Sequence, residues 1–159
     1  MVIRPATEED VPALVQLVAE LAAYEKEPDA ATGTPQDYTA ALFPKDREPA
    51  VSAFVAEVDG VVVAMAIWFV TFSTWTARHG LWLEDLFVQP DHRGKGVGAD
   101  LMSALARVCV ERGYPRMEWT VLDWNTPAIE VYRHLGAEPM DDWTTQRLTG
   151  TALADLARR

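Results

Sequence analysis

From Val88 to Gly98 the sequence reads Val-Gln-Pro-Asp-His-Arg-Gly-Lys-Gly-Val-Gly, an apolar run that passes through a glycine-rich turn straight into an amphipathic stretch. No other segment restricts the fold as much. A strand has to stop at Gln89-Pro90, and a helix has to start a few residues later. The free amides of a first helical turn, the positive end of the helix dipole and glycines that admit a ligand to the backbone make such a junction an anion cradle for phosphate or pyrophosphate. It is not a Walker A loop, since no Gly-Lys-Ser/Thr follows the required spacer, and its glycine spacing departs from the dinucleotide fingerprint. Taken alone, the segment is equally a structural turn.

The flanking sequence supplies alternating strands and helices. Val2 and Ile3 form a short first strand, and Thr7-Glu8-Glu9-Asp10 opens a helix with acidic residues in its first turn, where the dipole favours them. Its apolar stripe is Val11, Leu14, Val15, Val18, Leu21 and Ala22. Residues 27–49 are rich in proline, glycine and charge, with a short helix around 37–43; this segment reads as a lid or loop over a site. Residues 52–58 and 61–72 are strands joined at Asp59-Gly60, a two-residue hairpin signal. The strand at 81–88 carries adjacent carboxylates, Glu84 and Asp85, that do not belong in a plain core strand.

After the glycine turn comes a long helix with Val97, Leu101, Leu105 and Val108 facing inward, stopped by Gly113. Residues 117–121 read as a buried strand and residues 143–148 as a last one. Between them Asn125-Thr126-Pro127 starts a helix, with Thr126 as N-cap if Pro127 takes the first helical position, and Gly136 closes it. This order predicts an α/β domain over residues 1–159, a mixed sheet with helices on both faces.

Composition narrows the partners. A formal net charge of −10 disfavours nucleic acid and suits a cationic small molecule, although such acidity also serves solubility. No run approaches the roughly 20 apolar residues of a membrane span, and the start lacks a signal-peptide stretch, so a cytoplasmic protein without membrane partners is expected. The single cysteine, Cys109, excludes an internal disulfide and reads as a small buried hydrophobe. His79, His92 and His134 show no metal spacing, and no metal is expected.

The glycine turn resembles motif A of the GNAT acetyltransferases, Arg/Gln-x-x-Gly-x-Gly/Ala, filled here by Arg93, Gly96 and Gly98. The stretch from Asn125 through Tyr132 and Gly136 to Ala137 resembles that family's motif B, and Ile3-Arg4-Pro5-Ala6-Thr7 its common opening. Glu20-Leu21-Ala22-Ala23-Tyr24-Glu25, Trp75 and Leu83-Glu84-Asp85-Leu86-Phe87-Val88 are similar to spermidine/spermine and thialysine acetyltransferases. The resemblance implies a GNAT fold, mostly antiparallel with a splayed central strand pair, and acetyl-CoA as donor. It implies that the loop amides of Arg93, Gly94, Lys95, Gly96, Val97 and Gly98 hold the CoA pyrophosphate. Leu86, Phe87 and Val88 would then line the pantetheine arm. It also implies a homodimer.

Transfer of an acetyl group to an amine requires an acceptor for the amine proton and an acid for the leaving thiolate. Glu84 is the expected base, on the ground that a carboxylate in a partly apolar site acquires a raised pKa; the alternative is a salt-bridged strand residue. Asp85 is the expected anchor for a distal ammonium, or else structural. Tyr132, in helical phase with Ile129 and Leu135, is the expected acid; from spacing alone it is as much a core tyrosine. Asn125 either contacts the pantetheine arm or caps its helix. Tyr24, Glu25 and Trp75 complete the expected acceptor site, Trp75 as a wall against a cationic chain. The expected activity is direct acetylation of a diamine, polyamine or thialysine-like amine. The rivals are acetylation of a protein N-terminus, lysine or antibiotic, and a CoA-binding regulatory module without catalysis.

Overall fold

A computed structural model describes residues 1–159. The chain divides into two compact units, Met1–Leu122 and Asp123–Arg159. The first holds a five-stranded sheet in the order β1-β2-β3-β4-β5: β1 (Val2–Pro5), β2 (Val51–Val58), β3 (Val61–Ser73), β4 (Arg78–Val88) and β5 (Met117–Glu118). Neighbours pair antiparallel except β4 and β5, which run parallel. Asp59 and Gly60 both take positive φ at the β2–β3 turn, the backbone a two-residue hairpin needs.

Three helices dress this sheet: α1 (Val11–Tyr24), α2 (Pro35–Leu42) and α3 (Val97–Arg112). Side-chain alternation assigns them to faces. Leu14, Leu17 and Leu21 of α1 and Leu42 of α2 form one core with Ala53, Val55, Met65, Ile67 and Phe87. The inner stripe of α1 therefore runs through Leu17, with Val15 and Ala22 only half-buried. On the other face a Cβ at Gly98 of α3 would meet Leu86 and Val88, and Arg112 lies over Trp68 at 5.5 Å. Cys109 is buried on α3, as its pattern predicts. Residues 27–49 are more ordered than a loop, because a Thr34–Asp37 capping box starts α2 and Leu42 seats it in the core.

The opening residues are tied down by charge. Arg4 donates to both Asp10 oxygens at 2.6 and 2.9 Å and to Glu57 at 2.8 and 3.0 Å. Asp10 is buried, and its hydrogen bonds from Arg4 outweigh that burial and hold its carboxyl down to about 2.

Two strand expectations are corrected. Instead of spanning residues 117–121, β5 keeps two residues, because its pairing with β4 stops at Trp82, two residues before the bulge at Glu84. The parallel ladder is thus two residue pairs long, with β5 at the sheet edge. Residues 143–148 form no strand; the unit Asp123–Arg159 contains no other strand whose backbone could pair with them. That unit consists of α4 (Thr126–His134), α5 (Gly150–Leu156) and connecting chain. No helix of the protein is long and apolar enough to cross a membrane.

Candidate active site

At the end of β4 the glycine turn has the geometry its composition demands. Gly94 and Gly96 sit at φ 71° and 85°, and Gly96 is the N-cap of α3. A side chain there would be strained, and its Cβ would project into open space. The first helical bond runs from the Asp100 amide to the Gly96 carbonyl, so the amides of Val97, Gly98 and Ala99 point out of the helix end with no helical acceptor. The Arg93 amide is not part of this set, because it donates to the Pro90 carbonyl at 3.1 Å. Arg93 acts through its side chain instead. Its Nε donates to the Val88 carbonyl at 2.8 Å, and its guanidinium lies 4.8 Å from the Tyr24 ring centroid and 5.3 Å from that of Phe87. Tyr24, expected at the acceptor, therefore supports the cradle's arginine.

Beyond Trp82 no strand pairs with the outer edge of β4, so the backbone along Leu86, Phe87 and Val88 lacks a ladder partner on that side, with the Val88 carbonyl taken by Arg93 Nε. Free helix-end amides, positive-φ glycines and an unpaired strand edge suit a pyrophosphate carrying an amide-bearing arm, which is the shape of CoA.

The carboxylates are brought together by the bulge. In the β3–β4 register Ile67 pairs with Asp85 but Trp68 pairs with Leu83, so Glu84 is the inserted residue. Leu83 and Leu86 consequently lie on the α3 face, while Trp82, Glu84, Asp85 and Phe87 lie on the α1 face. A regular strand would have sent Glu84 and Asp85 to opposite sides. The Trp82 indole donates to Glu84 Oε2 at 2.9 Å. Burial first, and then the charges of Glu84 and Glu25, push Asp85 from 3.8 up to about 6. Burial likewise pushes Glu25, at the C-terminal end of α1, upward. No lysine or arginine forms an ion pair with any of the three.

Two expectations change here. The desolvation expected at Glu84 falls on Asp85, because Glu84 is the exposed residue of the bulge. Trp75 is 87% exposed in the β3–β4 turn, before Arg78 at the start of β4, which is itself seven residues from Asp85, or about 23 Å at strand rise; the structure does not bring Trp75 to the carboxylates. A residue that the sequence reading missed is Tyr38 of α2, whose phenol is raised by burial and by the charge of Asp85. Its signal was the four-residue spacing to Leu42, which places both on the inner side of α2.

With this geometry in hand, comparison with known proteins decides the family. The family model described as Acetyltransferase (GNAT) family matches residues 16–137. The chain is 32% identical to the thialysine N-epsilon-acetyltransferase of Bos taurus, over 99% of this chain and 97% of that protein. It is 39% identical to an L-ornithine N5-acetyltransferase of Arabidopsis thaliana, over 60% of this chain and 42% of the relative.

The chain belongs to the GNAT acetyltransferase family.

Among solved structures, an integron cassette protein from the V. cholerae mobile metagenome superposes with a TM-score of 0.82 at 26% identity, covering 99% of this chain and 98% of the other. The protein is thus an N-acetyltransferase, and its family uses acetyl-CoA as acetyl donor. In the unit Asp123–Arg159, the GNAT motif B residues fall on α4. Asn125, not Thr126, is the N-cap, because Thr126 is already helical and Pro127 occupies the second position; the Asn125 side chain makes no capping bond. Tyr132 lies in the last turns of α4, and burial pushes its phenol above 10.0. Gly136 closes the helix at φ 87°.

Proposed function

We propose that this enzyme acetylates a primary amine of a small acceptor carrying a second cationic centre, a diamine, polyamine or thialysine-like amine. The observation that carries the reading is the gathering of Glu84, Asp85 and Glu25, none of them in an ion pair with a lysine or arginine, with Asp85 raised to about 6. A cation arriving there relieves the repulsion, so the cluster is complementary to an ammonium. The named acceptors of the relatives, thialysine and ornithine, point the same way.

Acetyl-CoA, when bound, supplies an acetyl group activated as a thioester. Residues 94–99 hold its pyrophosphate and the edge of β4 at Leu86, Phe87 and Val88 its arm, with Asn125 assigned to the same arm by motif B. Asp85 and Glu25 hold the distal ammonium and aim the near amine. Glu84 takes the proton that the attacking nitrogen loses as the new C–N bond forms. The motif B resemblance assigns to Tyr132, whose phenol burial raises, the proton that the sulfur gains as the C–S bond breaks. The family match, over residues 16–137, runs past Leu122 and supports reading the two units as one GNAT domain. A homodimer is the assembly that the family resemblance implies.

Comparison of kcat/KM at low salt for an α,ω-diaminoalkane and the n-alkylamine of equal length tests the acceptor. A charge-assisted contact is worth roughly 1.5–3 kcal/mol, so the diamine should lead by about tenfold or more. Equal values would refute the acceptor reading while leaving the acetyltransferase intact. A second reading, in which Asp85 itself takes the amine proton, has its raised pKa in favour. Asp85→Asn separates the two: an anchor loses the diamine more than the monoamine, whereas a base loses both equally.

A further inference from the structure

We propose that Tyr38 is an acceptor-binding residue whose phenol oxygen takes the third N–H of the distal ammonium, beside Asp85 and Glu25. This rests on the acceptor reading above and adds to it the residue that completes the ammonium's coordination.

The placement of Tyr38 is fixed from three directions. The Thr34–Asp37 capping box, with Thr34 Oγ1 to Asp37 Oδ2 at 2.7 Å and Thr34 N to the same oxygen at 2.9 Å, fixes the start of α2 at Pro35, three residues before it. Gly33 closes on its ring so tightly that a Cβ there would stand 2.8 Å from Tyr38 Cε2. The ring packs against the core that contains Ile67 and Phe87. Those two residues bracket Asp85: Ile67 is its partner across the sheet, and Phe87 is the next β4 residue on the same face. Tyr38 therefore stands on the carboxylate side of the sheet, and the charge of Asp85 reaches its phenol.

An ammonium offers three donors. Asp85 and Glu25 supply two charged acceptors, and a further carboxylate would add repulsion to a cluster that already raises Asp85. A neutral phenol oxygen satisfies the remaining donor without that cost. The ring wall contributes further, because a cation beside an aromatic face is favoured.

The test is the ratio of kcat/KM for the diamine to that for the matched monoamine, in the full-length enzyme and in Tyr38→Phe, which keeps the ring and its packing. The proposal expects this ratio to fall by about tenfold in the variant, carried by KM for the diamine, with the unfolding midpoint nearly unchanged. A role in packing alone would leave the ratio where it was and would overturn the assignment. If the wild-type ratio is already near one, the acceptor reading itself has failed and the assignment falls with it. A wild-type preference that survives intact in Tyr38→Phe refutes Tyr38 alone.

Discussion

Asp85→Asn should make the protein more stable at neutral pH while weakening its hold on a diamine. Burial, Glu84 and Glu25 raise Asp85 from 3.8 to about 6. A carboxyl that holds its proton more tightly folded than unfolded favours folding at low pH. The penalty is absent below the ordinary value of 3.8, grows across the interval, and is complete above about 6. That interval corresponds to a ceiling of about 3 kcal/mol. The residual exposure of Asp85 screens part of it, and the buried amide of asparagine takes some back, so a net gain of about 1–2 kcal/mol is expected. For a chain of this size that raises Tm by roughly 2–8 °C. Thermal unfolding followed by circular dichroism at pH 7.5 and pH 4 reads it directly. The variant should lead at pH 7.5 and match the wild type at pH 4. The comparison is between proteins at each pH, because Asp10 also titrates in acid. A variant no more stable than wild type at pH 7.5, or a gap that does not change with pH, would refute the electrostatic argument. The account also expects the wild-type KM for a diamine to rise as pH falls through about 6, where Asp85 gains its proton.

Gly96→Val forces a β-branched residue to φ 85° and fills the space above the helix-end amides, so calorimetry should find CoA binding lost in a folded protein; unchanged affinity would misplace the cradle. Tyr132→Phe should lower kcat by roughly 100-fold or more with little effect on CoA affinity, and near-normal turnover when chemistry is rate-limiting would reduce Tyr132 to packing. Arg4→Met leaves the buried Asp10 carboxylate without its bidentate partner and should cost about 2–4 kcal/mol in urea unfolding; a loss below about 0.5 kcal/mol would show that the Arg4–Asp10–Glu57 group is a surface pair in energetic terms.

The glycine turn was readable because its constraint is local: only glycine takes φ near +70° to +85° freely, and a helix must begin where the turn ends. Asp59-Gly60, the amphipathic α1 and the stop at Gly113 were legible for similar local reasons. What the sequence hid depends on partners remote along the chain. The bulge at Glu84 exists only in the register with β3, and it decides that two consecutive carboxylates share a face and that the buried one is Asp85. Residues 143–148 have the composition of a strand, but a strand also needs an edge to pair with. Tyr38 and Asp85 are 47 positions apart, and no spacing rule connects them; they come to the same face of the sheet because α2 packs on the core face of β2 and β3.

The central claim is that the acceptor is a small amine with a second positive charge, and free thiol release from acetyl-CoA measures it most directly. The purified enzyme is given, in parallel, an α,ω-diaminoalkane, a thialysine-like amino acid, a peptide with a free N-terminal alanine and a peptide with an internal lysine, with products identified by mass. The account predicts rapid release with the small dicationic amines, a singly acetylated product, and turnover on both peptides at least tenfold lower in kcat/KM. Faster acetylation of either peptide than of every small amine would contradict it.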